Sequence, residues 1–355
     1  MKNVSMNQLL TEALKRQASD LHITVGVPPV IRINGELTHL EYPRLNPEIT
    51  KTLLAELASA EVLQKFAAQG EIDFSYAIPG VSRFRINAFR QRGSVAIAIR
   101  LVNERVPTLE ELGHPEILRT LARKPRGLVL VTGPTGSGKS TTLAAMIGLI
   151  NAEMSGHIIT LEDPIEFLHS HAKCIVNQRE ISLDTQSFSV ALRAALREDP
   201  DVILVGEMRD METIATAITA AETGHLVLAT LHTGDAAQTI DRIIDVFPPH
   251  QQQQVRIQLS LTLQGIIVQQ LLPRQDAQGR VAALEILIAN PAVRNIIREA
   301  KTQQLGSVLQ TGAKLGMQSM DSSLRDLVRK GVVNYEEALA RASDPDNLNR
   351  LLGLA

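Results

Sequence analysis

The sequence predicts an α/β protein in which an N-terminal α+β domain precedes a second domain built on a parallel sheet. The chain has 355 residues, which is enough for two domains. Its hydrophobic pattern changes after residue 102, from alternating segments to short, continuous apolar runs. A glycine-rich stretch, GPTGSGKS at 133–140, follows one of these runs and precedes a helical pattern.

The first domain begins with a helix that is followed by strands. Residues 5–17 carry apolar side chains at helical spacing, whereas residues 21–40 alternate as strands around an Asn34-Gly35 hairpin turn. The apolar face of the helix comprises Met6, Leu9, Leu10, Ala13 and Leu14.

Two more helices and an antiparallel sheet complete this domain. One helix starts at an Asn46 cap with Pro47 in its first turn, and the next runs to about Gln69 and stops at Gly70. The segments EIDFSYAIPG, RFRINAF and SVAIAIRLV then alternate in polarity, which predicts three antiparallel strands.

The second domain follows a predicted linker, NERVPT at 103–108. Beyond it, the apolar segments LVLVTG, HIITLED, DVILVGE, HLVLATLH and AALEILIA alternate with helices. Strands without alternation are buried on both faces, which is typical of a parallel sheet between helices. We therefore predict a first domain at 1–102, a core at 109–289 and a helical C-terminal region at 290–355.

Composition argues against several classes of protein. The one cysteine, Cys174, cannot form an intramolecular disulfide or a multi-cysteine zinc site. The formal net charge is −2 and aromatic residues make up 3% of the chain, so no nucleic-acid partner is expected. The longest apolar runs are far shorter than the ~20 residues that span a bilayer, and we expect a soluble cytoplasmic protein without a transmembrane segment.

The stretch at 133–140 satisfies the phosphate-loop pattern G-x-x-x-x-G-K-S/T, with the required strand before it and helix after it. Its glycines let backbone N–H groups point at phosphate oxygens, Lys139 should reach the β- and γ-phosphates, and Ser140 should hold Mg²⁺. ATP and Mg²⁺ are thus the predicted ligands. The predicted nucleotide-binding residues are Gly133, Pro134, Thr135, Gly136, Ser137, Gly138, Lys139, Ser140 and Thr141.

Acidic residues follow two of the apolar strands, where ATP hydrolysis would need them. Glu207 ends DVILVGE and is our candidate for binding Mg²⁺ together with Ser140, through the water shell of the ion. Glu162, Asp163 and Glu166 follow a second strand, and one of them is expected to orient or deprotonate the attacking water. For each of them, a helix cap or a solvated loop charge is the structural alternative.

Two histidines bracket one strand. His225 precedes LVLATL and His232 follows it, and both ends of this strand could face the phosphates. A purely structural role is the alternative for each histidine.

The first domain contains an arginine-rich strand. Residues 83–100 include five arginines and no acidic residue. Arg83 and Arg85 alternate with Phe84 and Ile86, so the two arginines share one face. This face is either a solvated basic surface or nucleic-acid patch, or it reaches ATP bound by a neighbouring subunit of a ring.

The motifs GPTGSGKST, ITLEDPIEF, LREDPDVILVGEMRD and AAETGHLVLATLHT, in this order, resemble the motor ATPases of secretion systems and type IV pili. The segments ASDLHITVGVPPVIRINGEL and GMQSMDSSLRDLVRKG resemble the pilus retraction ATPases in particular. The resemblance implies a homohexamer in which each subunit joins a PAS-like domain to a RecA-like ATPase domain. By position it implies Glu166 as the catalytic glutamate, Glu207 as the Walker B glutamate, His225 and His232 as a histidine box, and Arg85 and Arg100 as arginines that reach the neighbouring nucleotide.

The resemblance also implies a role and partners. Such a ring drives pilus retraction and twitching motility, acting on a platform protein at the cytoplasmic face of the inner membrane and indirectly on the pilin fibre. Extension and type II secretion motors have repeated C-x-x-C pairs for zinc, which one cysteine cannot provide, so retraction is favoured. An accessory retraction paralogue, a hexameric nucleic-acid translocase and a small-molecule kinase stay open as alternatives.

A helix predicted at 291–301 is expected to couple the motor to its load, because the retraction motif of the family falls on these residues. Asn290 and Pro291 signal its start. A solvated helix face is the alternative. The predicted apolar stripe is Val293, Ile296, Ile297 and Ala300, and the predicted basic ridge is Arg294, Arg298 and Lys301.

Overall fold

The structure is a computed structural model that describes residues 5–33, 35–78, 81–102 and 105–354. By its internal contacts the chain divides into two compact units. The first contains the chain up to Arg105 together with Glu166–Leu168, and the second contains Val106–Ile165 and His169 onward. Asn34 of the predicted hairpin turn and residues 103–104 of the predicted linker lie outside the described residues.

The first unit is an α+β fold with one antiparallel sheet, as predicted. Its six strands are ordered β3-β2-β1-β6-β5-β4. In chain order its elements are α1 (Met6–Lys15), β1 (Asp20–Ile23), β2 (Val30–Ile33), β3 (Glu36–His39), α2 (Pro47–Leu57), α3 (Ala60–Gln69), β4 (Glu71–Ile78), β5 (Ser82–Gln91) and β6 (Ser94–Leu101).

Local signals in the sequence fix the boundaries of these helices. The side chain of Asn46 accepts a hydrogen bond from Ile49 N and caps α2, and Gly70 ends α3 in the left-handed conformation at φ 84°. On β5, Phe84 and Ile86 are fully buried, which leaves Arg85 on the opposite, exposed face of the strand. The predicted alternation of this strand is therefore confirmed.

The second unit is a seven-stranded sheet with helices on its faces. Its strands are ordered β13-β12-β7-β11-β10-β8-β9. The elements before α9 are α4 (Ile117–Ala122), β7 (Gly127–Thr132), α5 (Lys139–Glu153), β8 (His157–Glu162), β9 (Ile175–Glu180), α6 (Phe188–Ala195), β10 (Val202–Val205), α7 (Met211–Glu222), β11 (Leu226–Leu231) and α8 (Ala236–Asp245). The remaining elements are α9 (Pro249–Thr262), β12 (Leu263–Pro273), β13 (Arg280–Ile288), α10 (Pro291–Arg298), α11 (Leu305–Thr311), α12 (Met320–Arg329), α13 (Tyr335–Leu339) and α14 (Pro345–Leu352), with short 3₁₀ turns at Thr302–Gln304 and Ala313–Leu315.

The parallel core of this sheet is confirmed, but its composition differs from the prediction. Every neighbouring pair is parallel except β12 with β13, so AALEILIA lies in an antiparallel edge strand. Strands β9 and β12 were not predicted. β9 is a polar edge strand, and β12 begins at Leu263 directly after α9 ends at Thr262, with no turn residue to mark the change.

The inner strand β7 is buried on both faces. Leu128 and Leu130 join one apolar cluster, and Val129 and Val131 join the cluster on the other side of the sheet. This explains the continuous apolar run that the sequence shows here. Within the described residues, none of the helices combines the length and the apolar composition that crossing a membrane requires.

Candidate active site

The predicted phosphate loop joins β7 to α5 at the carboxyl edge of the parallel sheet. The chain leaves β7 at Thr132 and enters α5 at Lys139. Gly133, Gly136 and Gly138 have φ angles of 139°, 77° and 86°, which residues with a Cβ atom rarely adopt. The sequence forms this loop because glycine stands at each of these positions.

Lys139 shapes the loop from inside. Its side chain is buried, and its Nζ donates hydrogen bonds to Gly133 O at 2.9 Å and Pro134 O at 3.0 Å. The ammonium group is therefore held at the centre of the loop, near the backbone that would surround a phosphate. Pro134, Thr135 and Gly136 are exposed, and Ser140 and Thr141 are half-buried in the first turn of α5.

Two hydroxyl groups in this region fit a polar ligand. Thr132 Oγ1 and Ser137 Oγ are among the few buried side-chain polar atoms in the described residues that have no hydrogen-bond partner in the protein. Buried polar groups are normally paired, so an unpaired hydroxyl marks a place where a ligand supplies the partner. Phosphate oxygens of ATP would meet this need at Ser137, which belongs to the loop itself.

Glu207 and His232 meet at the same edge of the sheet. Glu207 follows β10 and His232 follows β11, the strand that pairs with β7. The Oε1 atom of Glu207 lies 3.2 Å from His232 Nε2, and its Oε2 atom lies 2.6 Å from Arg209 Nη2. Burial opposes the ionised carboxyl, but the hydrogen bonds and charges of Arg209 and His232 outweigh it and lower the pKa of Glu207. Glu207 is therefore anionic at neutral pH.

Arg209 was not identified from the sequence. It follows Glu207 by two residues, and its side chain is 68% exposed. The hydrogen bond and charge of Glu207 raise the pKa of Arg209, and the charge of Asp163 adds to this effect. The sequence signal that could have identified Arg209 is its positive charge two residues after Glu207.

The three candidate bases occupy different environments. Glu162 Oε1 accepts hydrogen bonds from Thr160 Oγ1 at 2.6 Å and Gln178 Nε2 at 3.1 Å, so this carboxylate is held against β8 and β9. Asp163 and Glu166 are exposed. Glu166 groups with the first unit and Asp163 with the second.

His225 does not share this edge of the sheet. β11 is parallel to β7, with Leu231 opposite Thr132 and Leu226 opposite Gly127. The carbonyl of His225 accepts a hydrogen bond from Gly127 N, at the start of β7, and its Nδ1 lies 2.9 Å from Ala220 O. A strand of six residues is ~20 Å long, so the expectation that both histidines face the phosphates of their own subunit is wrong for His225.

The arginines of the first unit form a separate polar site. Arg85 on β5 and Arg100 on β6 are directly opposite each other in the antiparallel register. Both side chains are exposed, and Arg100 Nε donates to Asp20 Oδ1 at 3.1 Å. They line a shallow cleft of about 260 Å³ that also includes Asp20 and Asp73. The arginine stretch itself lacks acidic residues, but neighbouring strands supply them.

A metal ion in this site would need ligand atoms from the bound nucleotide as well as from the protein. In the part of the chain that the structure describes, no three His, Cys, Asp or Glu side chains are grouped so that they alone could hold a metal. This fits Mg²⁺ bound with a nucleotide, because such an ion takes phosphate oxygens, waters and one or two protein oxygens. The Ser140 hydroxyl, in the first turn of α5, and the Glu207 carboxylate, after β10, are the protein oxygens expected to take part.

A buried network behind the loop was also missed. Gln269 on β12 donates from Nε2 to Ser137 O at 2.7 Å and accepts at Oε1 from Thr142 Oγ1 at 2.7 Å. His114 Nε2 lies 2.9 Å from the same Thr142 oxygen. Because β12 itself was not predicted, no sequence signal placed Gln269 beside the loop.

Residues 1–340 match the model of the family described as type II/IV secretion system protein. The chain is 51% identical over 344 residues to the type IV pilus retraction ATPase PilT of Pseudomonas aeruginosa, covering 97% of this chain and 100% of the relative. It is 43% identical over 351 residues to the type IV pilus ATPase PilU of the same organism, covering 99% and 92%. Its structure is similar to the crystal structure of the pilus retraction motor PilT with bound ADP, with a TM-score of 0.92, 51% identity and coverage of 98% and 99%.

Proposed function

This chain belongs to the type II/IV secretion system protein family and is an ATPase, and we propose that it is the motor that drives type IV pilus retraction and twitching motility. The observation that carries the proposal is the similarity to a retraction ATPase over nearly the full length of both chains. The phosphate loop and the Glu207–His232 pair at one sheet edge supply the groups that ATP hydrolysis requires.

The residues of the loop bind and orient the triphosphate. Backbone N–H groups of 133 and 135–141 surround the phosphates, Lys139 offsets their charge, and the Ser140 hydroxyl and Glu207 would hold Mg²⁺. Bound there, Mg²⁺ would neutralise charge on the β- and γ-phosphate oxygens. His232 contacts Glu207 and is well placed to sense whether that carboxylate is engaged.

Glu166 is the proposed catalytic base. Its carboxylate is exposed, whereas that of Glu162 is already engaged by Thr160 and Gln178. Asp163 is attracted to Arg209, which competes with a role as base. A free carboxylate can accept the proton of the attacking water.

Six such subunits would form a ring. In the proposed ring, Arg85 and Arg100 of one subunit reach the nucleotide of the next. ATP turnover then opens and closes the subunits of the ring. This motion acts on a platform protein at the cytoplasmic face of the inner membrane. His225 has no part in this proposal, because it lies at the far edge of the sheet.

Retraction is favoured because the identity is higher to the retraction ATPase, at 51%, than to the type IV pilus ATPase PilU, at 43%. Deletion of this gene in its source organism tests the proposal. The deletion strain should carry excess surface pili and lose twitching, and wild-type protein should restore both, whereas Lys139→Ala should not. Normal twitching in the deletion strain would contradict the proposal.

A further inference from the structure

We infer that Gln269 is a positioning residue for ATP binding, because it fixes the orientation of a peptide group in the phosphate loop. The inference rests on ATP binding and hydrolysis, which the proposed function includes, and not on the load that the motor moves. Gln269 lies on β12, next to β7, and its side chain is 2% exposed. It is separated from Ser137 by 132 residues in sequence.

The hydrogen bonds of Gln269 have one consistent direction. The amide group of Gln269 donates through Nε2 to the carbonyl of Ser137 and accepts at Oε1 from the hydroxyl of Thr142. The reversed amide would place its oxygen against the Ser137 carbonyl, which is also an acceptor. The observed orientation is therefore the one that satisfies both ends of the side chain.

His114 closes this network. The single hydroxyl proton of Thr142 goes to Gln269, so the same oxygen accepts from His114 Nε2–H. Burial lowers the pKa of His114 to about 4, so the imidazole is neutral at physiological pH. The chain of donors thus runs from His114 through Thr142 to Gln269, while the other end of Gln269 holds the loop.

The contact with Ser137 determines where the next amide points. In a trans peptide, the carbonyl oxygen and the following N–H point in opposite directions. Because the Ser137 carbonyl is turned toward Gln269, the Gly138 N–H is turned away from Gln269. An N–H group in that place is one that phosphate-binding loops use.

The motif glycines are also constrained by Gln269. A Cβ atom at Gly138 would lie 2.7 Å from Gln269 Nε2, and one at Gly133 would collide with the backbone oxygen of Gln269. Glycine is thus needed at both positions for close packing against β12 as well as for its φ angle. The loop and Gln269 form one packed unit.

The inference is tested with substitutions that change single hydrogen bonds. Gln269→Leu removes both contacts at similar volume, and Gln269→Glu keeps an acceptor for Thr142 but loses the donor to Ser137 O. The matched control is Gln270→Leu, because Gln270 is the next residue on β12 and points to the other face of the sheet. The readouts are KM for ATP, the melting temperature without nucleotide, and the rise in melting temperature that ADP causes.

Both Gln269 variants should bind nucleotide about tenfold more weakly, because a buried loop carbonyl loses its partner. KM for ATP should rise and the ADP-induced shift should shrink, while Gln270→Leu behaves as wild type. Unchanged KM and ADP shift in Gln269→Leu, or a loss of melting temperature with no loss of affinity, would overturn the inference. A wild-type protein that fails to hydrolyse ATP would instead contradict the proposed function.

Thr142 provides a second test if Gln269→Leu does not fold. Thr142→Ser keeps the hydroxyl, whereas Thr142→Val keeps the shape and loses it. Weaker ATP binding in the valine variant than in the serine variant supports the inference, and equal affinity in the two variants counts against it.

Discussion

Glu207 and His232 come from the ends of neighbouring parallel strands and meet with 3.2 Å between Oε1 and Nε2. Thr230, two residues before His232, adds to this link, because its hydroxyl donates to Gly206 O and its carbonyl accepts from Met208 N at 3.1 Å. The loop that carries Glu207 is therefore fixed to β11 on both sides of the glutamate. A carboxylate held in this way is pre-oriented toward the space above the sheet edge.

The first prediction concerns Glu207. Glu207→Gln should lower ATP turnover by about 10- to 100-fold and raise the Mg²⁺ concentration needed for half-maximal activity, because the anionic oxygen is lost. Arg209→Ala should have a smaller effect, since that side chain is largely exposed. A Mg²⁺ titration of the ATPase measures both, and an unchanged Mg²⁺ requirement in Glu207→Gln would remove the residue from the metal site.

The second prediction separates binding of ATP from its hydrolysis. Lys139→Ala should lower turnover at least about a hundredfold with the fold intact, because the ammonium group that offsets the phosphate charge is lost. Glu166→Gln should still bind ATP and retain it without hydrolysis. Lys314→Ala is the matched control, because this lysine is exposed on a distant 3₁₀ turn.

Turnover and retained nucleotide after gel filtration measure these outcomes. Wild-type turnover in Lys139→Ala would contradict the assignment of the loop. Normal hydrolysis in Glu166→Gln together with loss of hydrolysis in Glu162→Gln would show that the wrong carboxylate was chosen as base.

The phosphate loop and its surroundings differ in how far the sequence predicts them. The loop is a local motif, so its glycines, Lys139 and Ser140 are recognisable from spacing alone. Gln269 is distant in sequence, on a strand that follows α9 without a break. Its role depends on which strand lies next to β7, and that is decided by the packing of the whole sheet.

The misplacement of His225 has a similar cause. The sequence shows that two histidines bracket one strand, but a bracketing pair necessarily lies at opposite edges of a sheet. Only the direction of β11 relative to β7 decides which histidine is near the loop, and the parallel pairing selects His232.

The third prediction is that Arg85 and Arg100 act on the nucleotide of a neighbouring subunit. Subunits with Lys139→Ala and subunits with Arg85→Ala and Arg100→Ala should each be inactive, yet mixtures should regain some activity. Some interfaces of a mixed ring would combine an intact loop with intact arginines.

Arg92 provides the control for lost charge. Arg92 is exposed in the β5–β6 turn, with φ 49°. Arg92→Asn removes its positive charge, and asparagine tolerates this backbone conformation. This variant should keep its own activity. Mixtures that exchange subunits but stay inactive at every ratio would contradict action between subunits.

The fourth prediction concerns pH and Glu285. This carboxyl is buried on β13 and accepts from Ala236 N, the first residue of α8, at 2.9 Å. Burial, opposed by that hydrogen bond and aided by the charges of Asp235 and Asp321, raises the pKa of Glu285 to about 7 from 4.5. Between these pH values the folded protein holds a proton that the unfolded chain has released, so the free energy of unfolding should fall as the pH rises through this range.

Glu285→Gln removes this titration. The melting temperature of Glu285→Gln minus that of wild type should increase from pH 5 to pH 8. The exposed control Glu336→Gln should show no such trend. A difference between Glu285→Gln and wild type that is constant with pH would contradict the raised pKa.

The fifth prediction follows from the position of Arg294, which differs from the expected basic ridge. Val293, Ile296 and Ile297 of the predicted stripe are buried, but Ala300 is exposed after the end of α10. The guanidinium of Arg294 donates to the carbonyls of Leu261 and Leu263 at 2.8 and 3.0 Å, and it also contacts those of Ser260 and Ala289. Arg294 therefore satisfies the free carbonyls where α9 ends and β12 begins.

Arg294 and Arg298 should consequently have different roles. Arg294 is half-buried, and this burial and then the charge of Arg298 lower the pKa of its guanidinium, whereas Arg298 is exposed. Arg294→Ala should cost about 1.5 to 3 kcal/mol of stability, because several charged hydrogen bonds to mostly part-buried carbonyls are lost. Arg298→Ala should leave the melting temperature and ATP turnover unchanged, so only this variant can isolate coupling to the load.

If α10 couples the motor to its load, Arg298→Ala cells should keep ATPase activity, lose twitching and carry excess pili. Normal twitching in Arg298→Ala and in Arg298→Ala with Lys301→Ala would assign α10 a structural role, with Arg294 as the contact that fixes it to α9.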